Sequence, residues 1–231
     1  MGSFDLFMKR TFDITVSLVT LLLFLPLLVP IIIALRLTGE GYVFYKQERI
    51  GQFNRPFFIY KFATMLKDSP NMAGGIITTA KDPRMTPLGP FLRSTKINEI
   101  PQLLNILLGQ MSLVGPRPVM KKSFDQYPEE VKSVIYNLPP GLTGIGSIIF
   151  SNEEQLITDV KERGEDVWEF YVNQIYPYKG ELEMWYQKNV SFSTDNKILF
   201  LTLCSIFNED KSLIYKSFKT LPRPAYMMAT A

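Results

Sequence analysis

Between Ile14 and Leu37 the chain carries one charge, Arg36, and the run VSLVTLLLFLPLLVPIIIAL is as long as a bilayer is thick. A helix needs about 20 apolar residues to cross a membrane, so this stretch constrains everything after it. A signal peptide is not expected: the run exceeds an h-region and no small-residue cleavage pattern follows. Pro26 and Pro30 lie inside it, each deleting a helical hydrogen bond and pressing on the preceding turn. Positive charge stands on both sides, Lys9 and Arg10 before and Arg36, Lys46 and Arg49 after. The positive-inside tendency draws both ends toward the cytoplasm. A straight spanning helix satisfies one end only. A helix broken at Pro26 that enters and returns satisfies both, so a re-entrant helix is expected, with a plain spanning anchor as the alternative.

What remains of the 231 residues suffices for one good-sized domain. There is no histidine, which removes His bases, His triads and His metal ligands together. One cysteine, Cys204, excludes an internal disulfide. The net charge of +3 comes from dispersed basic residues, so no nucleic-acid partner is expected.

Downstream, Tyr42 to Tyr45 and Phe57 to Tyr60 read as two strands joined by a turn from Arg49 to Pro56. Lys61 and Arg49 at such strand ends either meet anionic lipid heads or hold a phosphate. Pro70 to Ala80 reads as a mobile loop with Gly74-Gly75 at its tip. Asp82-Pro83 is a turn signal that orients Arg84, either to a nucleotide phosphate or to a bracing ion pair.

The densest stretch is RSTKINEIPQLLNILLGQMSLVGPRP, Arg93 to Pro118. A helix opens near Asn98-Glu99, with Pro101 in its first turn and Gly109 at its stop. Leu103, Leu104, Ile106, Leu107 and Leu108 leave hardly any wet face, so a buried helix is expected. MSLV reads as a short strand. Arg117 then stands between Pro116 and Pro118, a stiff stalk suited to bidentate grip of a phosphate or carboxylate; the plainer role is a turn Arg paired with a surface acid. Tyr127 to Leu138 reads as a short helix and Pro139 to Gly146 as a glycine-punctuated turn. Glu153 to Gly164 and Glu165 to Asn189 read as helices, the second with an aromatic stripe suited to a core or an interface belt. Lys197 to Phe207 is too short to span and suits the interface; the MMATA end suits a frayed tail.

These motifs resemble the bacterial sugar transferases, the monotopic phosphoglycosyl transferases. The resemblance rests on Arg93, Glu99, Pro101-Gln102-Leu103, Asn105, Leu107, Gly109 and Met111 to Pro118. It extends to Gln47, Arg49, Gly51, Lys61, Phe62, Thr64 and Met65, and to Asp82, Pro83, Arg84, Thr86 and Gly89. In the Arg93 to Pro118 stretch one position departs: the family's acidic dyad is Asp-Glu, and this chain has Asn98-Glu99. Elsewhere Ala63, Ser147 and Leu25 stand where the family usually carries Arg, Gln and Ser.

The resemblance implies an α+β, helix-rich monotopic membrane protein with a small β element at its site. Residues 1–40 would form the re-entrant helix, 41–190 the catalytic domain, and 191–231 an interfacial helix and tail. It implies transfer of a phospho-sugar from a UDP-sugar to undecaprenyl phosphate with release of UMP, at the cytoplasmic face of a bacterial inner membrane. Phospholipids would be partners, and self-association is left open. Glu99 and Asn98 would be catalytic, and Arg93, Arg117, Lys61, Arg84, Arg49 and Asp82 would bind substrate. Mg²⁺ would be the cofactor, held at Asn98 and Glu99. A neutral Asn cannot form the family's aspartyl-phosphate intermediate, so Glu99 carries the acidic work or the chain is a silent binder.

Overall fold

The computed structural model describes residues 3–72, 78–79, 82–207 and 211–224; the tip of the expected loop and the MMATA tail lie outside the described residues. The apolar run is a single helix, α1 (Ser3–Leu37), and Pro26 and Pro30 lie inside it without ending it. Among the described residues it is the one helix long and apolar enough to cross a membrane.

Both ends of α1 are tied to the rest of the chain. Near its start, Lys9 donates to the Val114 carbonyl at 2.8 Å and to Asp195 at 2.5 Å. Asp13 accepts from the Leu113 N–H at 3.1 Å. Toward its end, Leu28 and Leu35 are buried with Phe62 and Leu92. Between and around these contacts Leu18, Leu22, Leu23, Leu25 and Ile33 are exposed. Lys9 is thus not a charge at a lipid surface, as its position before the apolar run suggested. It is buried because Asp195 supplies its counter-charge.

A hairpin follows. Strands β1 (Phe44–Ile50) and β2 (Pro56–Phe62) pair antiparallel, Phe44 opposite Phe62 and Ile50 opposite Pro56. The turn is tighter than the sequence suggested, Gly51 to Arg55, with Phe53 and Asn54 both left-handed. Arg49 therefore lies in β1, not in the turn. Helix α2 (Gly89–Ser94) leads to a 3₁₀ turn, Ile97–Glu99, and then to α3 (Gln102–Leu107). Gly109, at φ 80°, stops α3 as a left-handed cap. Arg10 of α1 donates to the last carbonyls, Ile106 and Leu107, at 2.6 and 2.9 Å, placing a cation at the negative end of the helix. Asn105, fully buried, accepts from Tyr60 N–H and donates to the Phe58 carbonyl, so its amide completes the free edge of β2. The expected burial of α3 holds for Leu103 and Ile106 only. Leu104 and Leu108 are exposed, because α1 and β2 cover one side of the helix and the other side stays open among the described residues.

Strand β3 (Ser112–Val114) runs parallel to β4 (Gly141–Thr143). One-turn helices α4 (Lys121–Phe124) and α5 (Glu129–Lys132) lie between them. The expected helix from Tyr127 to Leu138 thus shrinks to α5 and turns, since Pro128 opens it and Tyr136 is drawn into hydrogen bonds with the Arg117 turn. Next come α6 (Ile145–Ile149), α7 (Glu153–Glu162) and α8 (Val167–Phe170). A π turn, Tyr171–Ile175, joins α8 to α9 (Tyr176–Asn189). Pro177 lacks the N–H an α-turn needs here, and the wider turn accommodates it. The aromatic stripe is core: Tyr176, Tyr178, Trp185 and Tyr186 are buried. Helices α10 (Phe192–Phe207) and α11 (Ser212–Ser217) end the described chain, with Phe200 and Leu203 of α10 exposed. The architecture is helix-rich α+β with two small sheets and one long apolar N-terminal helix.

Candidate active site

Arg117 owes its position to a very close backbone crossing. A Cβ on Gly115 would stand 2.4 Å from the Pro139 carbonyl oxygen, and one on Gly141 only 2.2 Å from Gly115 N. Only glycine allows these segments to touch, and they are bonded through Gly115 N to Thr143 O and Gly141 N to Pro116 O. Beyond this crossing, Arg117 is held at both backbone poles. Its N–H donates to Glu183 Oε1 at 3.3 Å, and its carbonyl accepts from Tyr136 Oη at 2.8 Å. The stiffness expected from the flanking prolines is thus reinforced from α9 and from the turn before Leu138.

The guanidinium reaches Glu99 Oε1 with Nη2 at 3.5 Å and Ser147 Oγ with Nη1 at 3.4 Å. Lys61, at the end of β2, donates to the same Glu99 oxygen at 3.0 Å. Arg49 lies alongside, braced by Gln47 Oε1 and by the Pro118 carbonyl at 3.3 Å. Three cations therefore gather around one carboxylate. Burial alone would raise the Glu99 carboxyl, but Lys61 and Arg117 outweigh it and hold it well below the usual carboxylate range. Burial, aided by the neighbouring Arg117 and Arg49, pulls Lys61 down to about 8 despite Glu99. Burial and Arg117 likewise bring Arg49 to about 10. The site is short of negative charge, and an anion would supply it.

Asn98 precedes Glu99 in the 3₁₀ turn and is 5% exposed; its Oδ1 is buried with no partner. Arg93 turns to Glu154 at the start of α7, leaving its own Nε buried without a partner. Arg84 and Asp82 hold each other. Asp82 accepts at 2.8 and 2.6 Å, Arg84 also donates to the Ser69 carbonyl, and both are buried. The structure thus brings Arg49, Lys61, Glu99 and Arg117 together with Asn98 beside them, while Arg84 and Asp82 form the bracing pair.

Two carboxylates escaped the sequence reading. Glu183 is buried on α9 with Oε2 unpartnered, and burial raises its carboxyl to about 8. Its signal was an acid on the same helix as the buried Leu182, Trp185 and Tyr186. Glu153 accepts from Lys179 at 2.6 Å and from Tyr171, and nothing in the sequence marked it.

For Mg²⁺ the donor set is thin. Among the described residues no three Asp, Glu, Cys or His side chains converge. Asn98 offers one neutral oxygen, and Glu99 is already engaged by two cations. These residues do not make a dedicated magnesium site.

The sequence agrees with this geometry when set beside known proteins. The bacterial sugar transferase family matches residues 4–209. A UDP-glucose:undecaprenyl-phosphate glucose-1-phosphate transferase of Klebsiella pneumoniae is 34% identical over 205 residues, covering 88% of this chain and 41% of that protein. An undecaprenyl-phosphate glucose phosphotransferase of Komagataeibacter xylinus is 32% identical over 213 residues, covering 88% of this chain and 36% of its own. An exopolysaccharide production protein of Rhizobium leguminosarum bv. phaseoli is 38% identical over 149 residues, covering 62% of this chain and 74% of its own. The chain spans about two fifths of the length of the first two relatives. With a family match that takes in α1, the hairpin, Glu99, the Arg117 crossing and α10, this chain belongs to the bacterial sugar transferase family.

Proposed function

We propose that the chain transfers a phospho-sugar from a UDP-sugar to undecaprenyl phosphate, releasing UMP, at the cytoplasmic face of a bacterial inner membrane. The observation that carries this reading is the gathering of Arg49, Lys61 and Arg117 around the single carboxylate of Glu99. Substrates and products are polyanions, and preorganised cations stabilise charge on a transferring phosphoryl group without reorganising. In the reaction a P–O bond between the two phosphates of the UDP-sugar breaks. A P–O bond to the acceptor phosphate forms in its place, and UMP leaves. Arg117 and Lys61 take up the charge on the transferred group, Glu99 is the essential carboxylate, and Asn98 orients. The buried Asn98 Oδ1 is an acceptor that a bound hydroxyl would satisfy.

An amphiphilic acceptor needs a site at headgroup depth. The exposed leucines of α1, with Leu104 and Leu108 of α3 beside them, give the protein an apolar surface to bury in lipid. Packing of both ends of α1 on the rest of the chain favours a helix whose ends share one side of the membrane, while α1 runs unbroken through Pro26, where the re-entrant reading places the turn back.

A second reading is favoured by one residue. Asn98 is neutral where the family's dyad is acidic, so a protein that binds UDP-sugar without turnover is the alternative. UMP release from a panel of UDP-sugars separates the two. Glu99→Gln should abolish release and Asn98→Asp should keep or raise it. Full activity in Glu99→Gln overturns the carboxylate assignment; release from Asn98→Asp alone makes the chain a silenced family member.

A further inference from the structure

The charges around Glu99 suit an anion and repel a divalent cation. Glu99 Oε1 is held by Lys61 at 3.0 Å and by Arg117 at 3.5 Å. Arg49 and Lys96 add further positive charge in reach of the cluster. Glu153 acts on Arg117 but is itself paired with Lys179, burial favours the neutral form of Glu183, and position 98 contributes no charge. Mg²⁺ is usually bound through one or two carboxylates together with substrate phosphates. Here it would compete with an ammonium and a guanidinium for one carboxylate. Its double charge also doubles the repulsion from every neighbouring cation. What a metal brings to a diphosphate is already built in: Lys61 as a point charge and Arg117 as a fork of parallel donors on a clamped stalk.

We propose that this chain neutralises the diphosphate of its nucleotide-sugar ligand with Lys61, Arg49 and Arg117, and binds it without a divalent metal ion. The inference rests on the nucleotide-sugar reading above and sharpens how that site works. Asn98 is the residue on which the property turns. An Asp there would set a second carboxylate beside Glu99, cancel part of the positive charge, and supply the oxygen ligand that magnesium lacks.

The experiment is a binding measurement on the detergent-solubilised full chain, using UDP as the probe, by titration calorimetry in excess EDTA and in millimolar Mg²⁺. Affinities for the unsubstituted chain should agree within about twofold in the two buffers, well inside the tenfold that about 1.4 kcal/mol represents. Asn98→Asp should bind about tenfold more weakly in EDTA and recover in Mg²⁺. Binding by the unsubstituted chain that appears only with Mg²⁺ overturns the inference and leaves the nucleotide-sugar reading standing. No binding in either buffer overturns both.

Discussion

Two charge clusters, a buried one at the start of α1 and a half-buried one at Glu99, each set lysine against a carboxylate and come out differently. At the start of α1, Lys9 meets Asp195 at 2.5 Å, and Tyr186 Oη donates to the other Asp195 oxygen at 2.7 Å. Asp13 takes the Leu113 N–H, and Lys9 also reaches the Val114 carbonyl. Charges and donors there find partners inside the fold. At Glu99, one carboxylate faces three cations, and an amide oxygen beside it has no donor. A buried cluster that closes on itself fixes structure; one left with surplus charge waits for a ligand. Exposure and charge balance together separate the two roles: Lys9 and Asp195 are closed off from solvent, whereas the Arg117 side chain is 42% exposed.

The comparison breaks most visibly at Lys9. Lys9→Met leaves Asp195 buried and uncompensated and should lower stability by about 3–5 kcal/mol, the usual loss when one partner of a buried pair is removed. Thermal or denaturant unfolding in detergent checks this; a loss below about 1 kcal/mol would show the cluster to be dispensable.

A smaller effect is expected at the unbalanced site, and in binding instead of stability. Arg117→Lys keeps the charge and loses the fork, so UDP affinity should fall about tenfold, about 1.4 kcal/mol, with the unfolding midpoint little changed. Equal affinity would reduce Arg117 to a turn residue.

The smallest effect is a pH dependence that only the surplus cluster should show. Lys61 titrates near 8 in the free protein, and its protonated form is the one that attracts a diphosphate. Affinity should therefore be flat between neutrality and that value, then decline as pH rises through it. The decline should stop once Lys61 is neutral also in the complex. Lys61→Arg, which stays charged, should flatten the curve. A profile for the unsubstituted chain that is flat through this range removes Lys61 from the binding charge.

Much of this was readable from residues. The Gly109 stop, the MSLV strand and Arg117 on its proline-flanked stalk follow from local chemistry, and the structure has them. For the aromatic stripe local chemistry offered a core or an interface belt, and packing made Tyr176, Tyr178, Trp185 and Tyr186 core. Misplacements arose where distant partners decide. Arg49 was assigned to a turn because its neighbours look turn-like, yet cross-strand pairing extends β1 through Ile50. Lys9 looked like a membrane-flanking charge because Asp195, its partner, lies 186 positions away. Leu104 and Leu108 looked like core because composition cannot distinguish an exposed leucine from a buried one. Glu183 escaped because its one local signal, an acid among Leu182, Trp185 and Tyr186, does not say which face of the helix tertiary packing buries.

The way α1 is fastened bears on any attempt to make a water-soluble version by trimming the N-terminus. Val114, whose carbonyl receives Lys9, is the residue before the Gly115 crossing that carries Arg117. Deleting the first helix would strip that strand of Lys9 and Asp13, strand Asp195 without its cation, and uncover the α3 carbonyls that Arg10 caps. The greasy segment is a structural beam of the part that carries Arg117, and a shortened variant would need new polar partners at all three places before it kept the arginine in register.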